Sequence, residues 1–216
     1  MRSKPQIPLL LLYPIHLPMP DPSSATLVLE TSSPAISWAY FEKQSLQCEA
    51  RLDEPNAKTS QILSPSLKAA NLPLKTIKTI LVGVGPGSFS SIRAAISLAQ
   101  GIARVSRASI LPIRSSHALG VTHTHVSFLG VFADARRNSF FFTAYEKGKM
   151  TRPTATFPKD LLEEYLSKCS LALSTDEMNG VPESSYPDAT NLFKAYQHQS
   201  TEDELALEPI YLHPPV

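Results

Sequence analysis

The chain has 216 residues, 43% of them apolar, which is enough for a sizeable core in one large domain or two small lobes and excludes disorder throughout. A formal net charge of +1 excludes a global field that draws the protein onto nucleic acid, so any RNA contact must be local or shared. The two cysteines, Cys48 and Cys169, match no zinc or redox spacing and read as buried free thiols in a reducing compartment.

Residues 1–24 combine a basic start, an apolar run and small residues, as a signal peptide does. Six prolines between Pro5 and Pro22 interrupt any helix such a segment would form, so an extended, poorly ordered arm is expected. No other stretch is long and apolar enough to span a bilayer, and a soluble, cytoplasmic protein without membrane contact is expected. From Ala25 the chain reads as three strands, TLVLETS, AISWAYF and SLQCEARL, whose alternation and short connections favour an antiparallel meander. A helix follows over 58–71, with Ile62, Leu63, Leu67 and Ala70 at helical spacing and Pro65 as a kink or first-turn residue. Then come the apolar run TILVGV and a helix from Ser88 to about Val105. The second half repeats the order, with VSFLGVFADA, NSFFFTAYEK and KMTRPTATF as strands, PKDLLEEYLSKC as a helix, SLALST as a strand and DATNLFKAYQHQ as a helix. Two βββαβα lobes are expected, at 25–121 and 122–216, the second shortened. This α/β layout is similar to that of the actin-like, ribonuclease-H-like superfamily, an analogy that assigns no activity.

GVGPGSFSSIR, residues 83 to 93, invites a nucleotide reading, because a glycine-rich turn before a helix often cradles phosphate. It fails the Walker pattern, since Gly87 is followed by Ser88 and Phe89, with no lysine. Pro86 also removes a backbone donor, and Gly85, Pro86, Gly87, Ser88 and Phe89 read as a turn with Ser88 capping the helix that carries Arg93. The hairpin turns are unsuited to phosphate as well: one carries Glu30 and no glycine, and the other carries Arg136 and Arg137. Glu30 and Asp134 could pair across a cleft, which keeps an ATP-dependent enzyme using Mg²⁺ as the alternative reading. His123 and His125 lack a completing carboxylate or cysteine, and Ser115-Ser116-His117 is a sequence neighbourhood rather than a dyad. No catalytic residue, metal site or cofactor is assigned.

The helix after the turn has its polar residues, Arg93, Ser97, Gln100 and Arg104, on one stripe, leaving two apolar faces. One is expected to bury on its own sheet and the other on helix 58–71 or on another chain.

The words LVLETSS, GVGPGSFSSIRAAISLAQGIA, FADARRNSFFFTAY and EPIYL, in this order, resemble the bacterial TsaB family, also called YeaZ, over nearly the whole chain after residue 25. Gly85, Pro86, Gly87, Ser88, Phe89, Ile92 and Arg93 match its long motif; Glu30, Lys58 and Ser90-Ser91 depart from it. The resemblance implies a non-catalytic, glycoprotease-like subunit for threonylcarbamoyladenosine synthesis at position 37 of tRNAs reading ANN codons. Such a subunit pairs with TsaD through helices of the first lobe, is joined by the ATPase TsaE and meets tRNA only through the complex; alone, its orphaned apolar helix face would favour a homodimer. Ile92, Ala95, Ile96 and Ala99, with Ile62 and Leu63, are the contact residues expected on this reading.

Overall fold

The computed structural model describes residues 24–52, 54, 57–198 and 205–210. The proline-rich arm expected over 1–24 therefore lies outside the described residues, apart from Ser24. Strands β1 (Ala25–Glu30), β2 (Ile36–Glu42) and β3 (Ser45–Leu52) form the meander, followed by helix α1 (Thr59–Ala69), a 3-10 turn at Leu74–Thr76, β4 (Ile77–Gly83), α2 (Phe89–Ser106), β5 (Ser109–Ile113) and α3 (His117–Thr122). The second half contains β6 (Leu129–Arg136), β7 (Ser139–Glu146), β8 (Lys149–Pro158), α4 (Leu162–Leu166), β9 (Leu171–Ser174), β10 (Glu183–Ser184) and α5 (Ala189–His198). Pro65 lies inside α1, past the first turn.

The two halves build the same sheet. The first has the order β3-β2-β1-β4-β5 and the second β10-β9-β6-β7-β8, which is the same order read from the other edge. In each, the meander is antiparallel and the strands beyond the first are parallel to it. Each half thus has a fifth strand beyond the βββαβα order. In the second half a turn replaces the helix between the fourth and fifth strands, so α5 follows β10 and corresponds by position to α3, not to α2.

Packing explains the patterns. Every residue of β1 is buried because the strand is central and covered on both faces, whereas β3 is an edge and alternates. Leu27, Leu29, Trp38, Ile80 and Val82 on one face of the first sheet meet Ile62, Leu63, Ile92, Ala95 and Ala99 of α1 and α2. Trp38 Nε1 donates to Ser66 Oγ at 2.8 Å, tying β2 to α1. The other face, with Val28, Phe41 and Leu81, is covered by α5 through Leu192, Phe193 and Tyr196. Phe41 and Phe193 stack with centroids 3.9 Å apart. Its place in the chain puts α5 with the second lobe, yet its apolar side lies on the first sheet. The second sheet packs an aromatic cluster of Phe132, Phe140, Phe142 and Tyr165 against α4. There Cys169 is partly buried, and burial pushes its thiol up to about 11. Among the described residues no helix is long and apolar enough to cross a membrane.

Between the sheets, Tyr145 is 1% exposed, and its hydroxyl lies 2.7 Å from Ser116 Oγ and 3.1 Å from His117 Nδ1. Tyr145→Phe removes that hydroxyl from buried polar neighbours, and a loss of about 1–3 kcal/mol is expected. The thermal midpoint should fall at roughly 2–4 °C per kcal/mol. An unchanged midpoint would show that the hydroxyl contributes nothing to the joint.

Candidate functional site: the interlobe cleft and the α2 surface

A cleft of about 1140 Å³ separates the lobes. The first lobe contributes the β1–β2 turn from Ser32 to Ile36, the start of α1, and the start of α2 from Gly87 to Ser91 with Arg93. The second contributes Asp134 to Arg136, Lys159, Asp176 to Asn179, and Tyr186.

The glycine-rich turn meets the β1–β2 turn directly. A Cβ on Gly87 would stand 2.0 Å from the Ser32 carbonyl oxygen, and Ser88 N donates to that same oxygen at 2.8 Å. Gly85, at φ +96°, donates its N–H to Ser115 Oγ at 3.0 Å, and its carbonyl accepts Ser115 N–H at 3.0 Å. The Gly85–Pro86 peptide is cis. These contacts make the turn a joint between β1, α2 and the segment after β5, with close backbone approach as the reason for glycine. Ser88 occupies the N-cap position, but its hydroxyl makes no cap bond; it lies 2.8 Å from Ser91 Oγ and 3.4 Å from Ser90 Oγ. The expected side-chain cap is thus replaced by a serine cluster, because Ser90 and Ser91 offer competing hydroxyls on the first turn.

The two carboxylates weighed as a catalytic pair occupy different environments. Asp134 lines the cleft, 3.1 Å from Arg136 Nη1 and 3.7 Å from Lys159 Nζ. Its backbone N–H donates to Asp176 Oδ2 at 2.7 Å. Glu30 is 0% exposed and does not line the cleft; Oε1 accepts Ser32 N–H at 2.7 Å. Oε2 lies over Gly83 without a hydrogen-bonding partner among the described residues. Burial pushes the Glu30 carboxyl above its ordinary value, tempered by the nearby Ser32 and Ser115. Burial likewise raises Asp176, against the hydrogen bonds it accepts. Among the described residues no group of three or more His, Cys, Asp and Glu could hold a metal ion, and the His123 and His125 rings stand 6.1 Å apart.

Sequence reasoning missed Asp176, Met178, Tyr186 and Arg51 in the cleft. The first three come from an irregular stretch around β10, where no periodicity marks them. The Tyr186 hydroxyl donates to Glu177, which with burial pushes its pKa up to about 12.

The six expected contact residues lie inside the chain. Ile92, Ala95 and Ala99 are 0% exposed, Leu63 2%, Ile96 8% and Ile62 9%, because α1 and the first sheet together cover them. What α2 leaves open is a neighbouring stripe. Ala94 and Leu98 are partly exposed, Gly101 has open space where a side chain would be, and Val105 is 61% exposed. Their spacing of four, three and four residues puts them on one line along the helix. Phe89, 39% exposed, stands at the cleft end of α2.

Glu30 provides a test of the buried layer beneath the β1–β2 turn. Its folded pKa is raised, so the native state binds the proton more tightly than the unfolded chain. Stability therefore falls as pH rises from the ordinary carboxyl value through the raised one. Wild type should lose ground to Glu30→Gln over that window in denaturant titrations, and a difference independent of pH would contradict the assignment.

A family model described as TsaD, tRNA N6-adenosine threonylcarbamoyltransferase, matches residues 56–200. Compared by sequence with curated proteins, the chain has no match. Among solved structures, YeaZ from Pseudomonas aeruginosa superposes with a TM-score of 0.66 at 18% identity, covering 88% of this chain and 100% of that one. A second structure, an uncharacterized protein with similarity to peptidase YeaZ from Pseudomonas aeruginosa, gives 0.64 with the same identity and coverage. A Bacteroides thetaiotaomicron protein with actin-like ATPase fold and unknown function gives 0.36 at 9% identity, over 76% of this chain and 87% of that one. With the family matched over about two thirds of its length and the YeaZ architecture over nearly all of it, the chain belongs to the TsaD family of tRNA N6-adenosine threonylcarbamoyltransferases as a YeaZ-like member with the α/β actin-like fold.

Proposed function

We propose that this chain is a non-catalytic subunit in the synthesis of threonylcarbamoyladenosine at position 37 of tRNA, pairing with a TsaD homologue and joined by a TsaE ATPase. The observation that carries the reading is the open apolar stripe Ala94, Leu98, Gly101 and Val105, which runs along α2 beside a fully packed core. Small residues along it let a facing helix approach closely, and covering it removes apolar surface from water. Alone, the same stripe would pair two copies of the chain. The cleft supports the non-catalytic part: Glu30 is withdrawn beneath the β1–β2 turn, and Asp134 is held by Arg136, Lys159 and the neighbouring Asp176 loop. The proposed lobes, 25–121 and 122–216, then divide the work, the first presenting the interface and the second lending α5 to its sheet.

The test is co-expression with the TsaD homologue of the same organism, followed by size-exclusion chromatography with light scattering. Wild type should elute as a heterodimer. Leu98→Glu combined with Val105→Glu should weaken pairing by roughly thirtyfold or more, the cost of losing about 2 kcal/mol at an interface centre. Val105 is 61% exposed, so Val105→Glu alone should leave the circular-dichroism melt near wild type and still weaken pairing; Leu98 is half-buried against the core, so the double variant is compared at a temperature where its melt shows it folded. Ala95→Glu is not a suitable probe, since Ala95 is 0% exposed and the substitution buries a carboxylate. Wild type that stays unpaired with TsaE and nucleotide supplied, or a double variant that pairs normally, would overturn the reading.

A further inference from the structure

Between residues 55 and 133 the chain has no Asp or Glu, and it has eight basic residues: Lys58, Lys68, Lys75, Lys78, Arg93, Arg104, Arg107 and Arg114. Since the whole chain is +1, the remainder is −7, so near-neutrality conceals a strong polarity. The topology gathers five of these cations. α1 ends where the chain enters β4, and α2 ends where it enters β5, with β1, β4 and β5 parallel. Lys68 at the end of α1, Lys75 in the 3-10 turn, Lys78 in β4, and Arg104 and Arg107 at the end of α2 therefore share the end of the first sheet remote from the cleft. All five are exposed. Glu42 reaches the same end, where it accepts from the Tyr40 hydroxyl at 2.7 Å, and Lys43 beside it offsets its charge.

Helix dipoles account for part of this. Lys68 and Arg104 stand in last turns, where a cation favours the helix. Arg107, at the C-cap of α2, shares that role and Lys75 closes the 3-10 turn, whereas Lys78 lies in β4 and has none. Arg107 holds the left-handed position after α2 at φ 59°, where glycine is the ordinary choice, so its charge is kept at a backbone cost.

We propose that this end of the first lobe binds the phosphate backbone of RNA. Three of the five cations are lysines, which protein–protein interfaces deplete and which serve phosphates as mobile point charges. Five exposed cations against the single carboxylate of Glu42 suit a polyanion better than the mixed rim of a protein partner. Naming RNA as the polyanion rests on the functional reading above, whereas the patch itself does not.

The experiment titrates an unmodified transcript of a tRNA reading an ANN codon with the full chain, alone and with the TsaD homologue, over a salt series. The variant combines Lys75→Gln, Lys78→Gln and Arg107→Gly, which removes three charges at exposed positions and relaxes the left-handed residue. Expected are affinity at low salt lowered by about tenfold or more and a log–log salt slope shallower by about three, one per cation removed, with the heterodimer mass unchanged. Equal tRNA affinity and slope for wild type and variant would overturn the proposal, as would wild type binding no tRNA in either form. Loss of the heterodimer with tRNA affinity intact would instead make the patch a protein-docking surface. If wild type fails to pair with TsaD but binds tRNA through these cations, the partner reading falls while the RNA site stands.

Discussion

Both lobes hang from four consecutive buried polar residues, Arg114 to His117, each bonded to a different part of the chain or sharing one anchor. Arg114, 6% exposed, donates from Nη1 to Thr154 Oγ1 at 2.8 Å, and that hydroxyl lies 2.7 Å from Thr143 Oγ1. Ser115 grips both polar atoms of Gly85, while Ser116 and His117 share the Tyr145 hydroxyl. A guanidinium removed from water is costly unless its donors are engaged, so this segment cannot slide between the sheets without giving up satisfied groups. The first sheet, the glycine turn and the second sheet are thereby set at one relative position, and the cleft takes its width from that joint.

The same joint explains the glycine turn that resembles a phosphate loop. Gly85 is held from below by Ser115, and Gly87 makes room for the Ser32 carbonyl, so the turn's task is to bring three backbone segments within hydrogen-bond distance. The direction in which α2 leaves the sheet follows from those bonds. Its outward stripe is therefore presented by a rigid base, the condition under which a modest apolar surface binds with little ordering cost.

Strands, the two long helices and the duplication were readable because period-two and period-3.6 patterns record burial directly. The alternating Leu46, Cys48, Ala50 and Leu52 lie in edge strand β3, and the run TILVGV, save its last valine, lies in central β4. Where reading failed, the missing information was about partners rather than periodicity. Two apolar faces on α2 were visible, but nothing in one sequence said that α1 would enclose Ile92, Ala95, Ile96 and Ala99, leaving only the line through Leu98 and Val105. The two-residue strand β10 is too short to carry a pattern, and the cleft residues beside it, Asp176 and Tyr186, sit on irregular backbone. A charge total likewise hid its own segregation, since +1 is the sum of a basic middle and acidic flanks.

The placement of α5 has a consequence for how the chain is made. Leu192, Phe193 and Tyr196 cover Val28, Phe41 and Leu81, so β1 and β2 complete a single core with a helix that begins 152 residues after Ser37. During synthesis α3 can cover only part of that face of the first sheet, through Ala118 and Val121, and the rest stays open until α5 has emerged, although every strand of that sheet precedes it. The first lobe thus closes only after the strands of the second have been made, and its apolar face is open to chaperones for that interval.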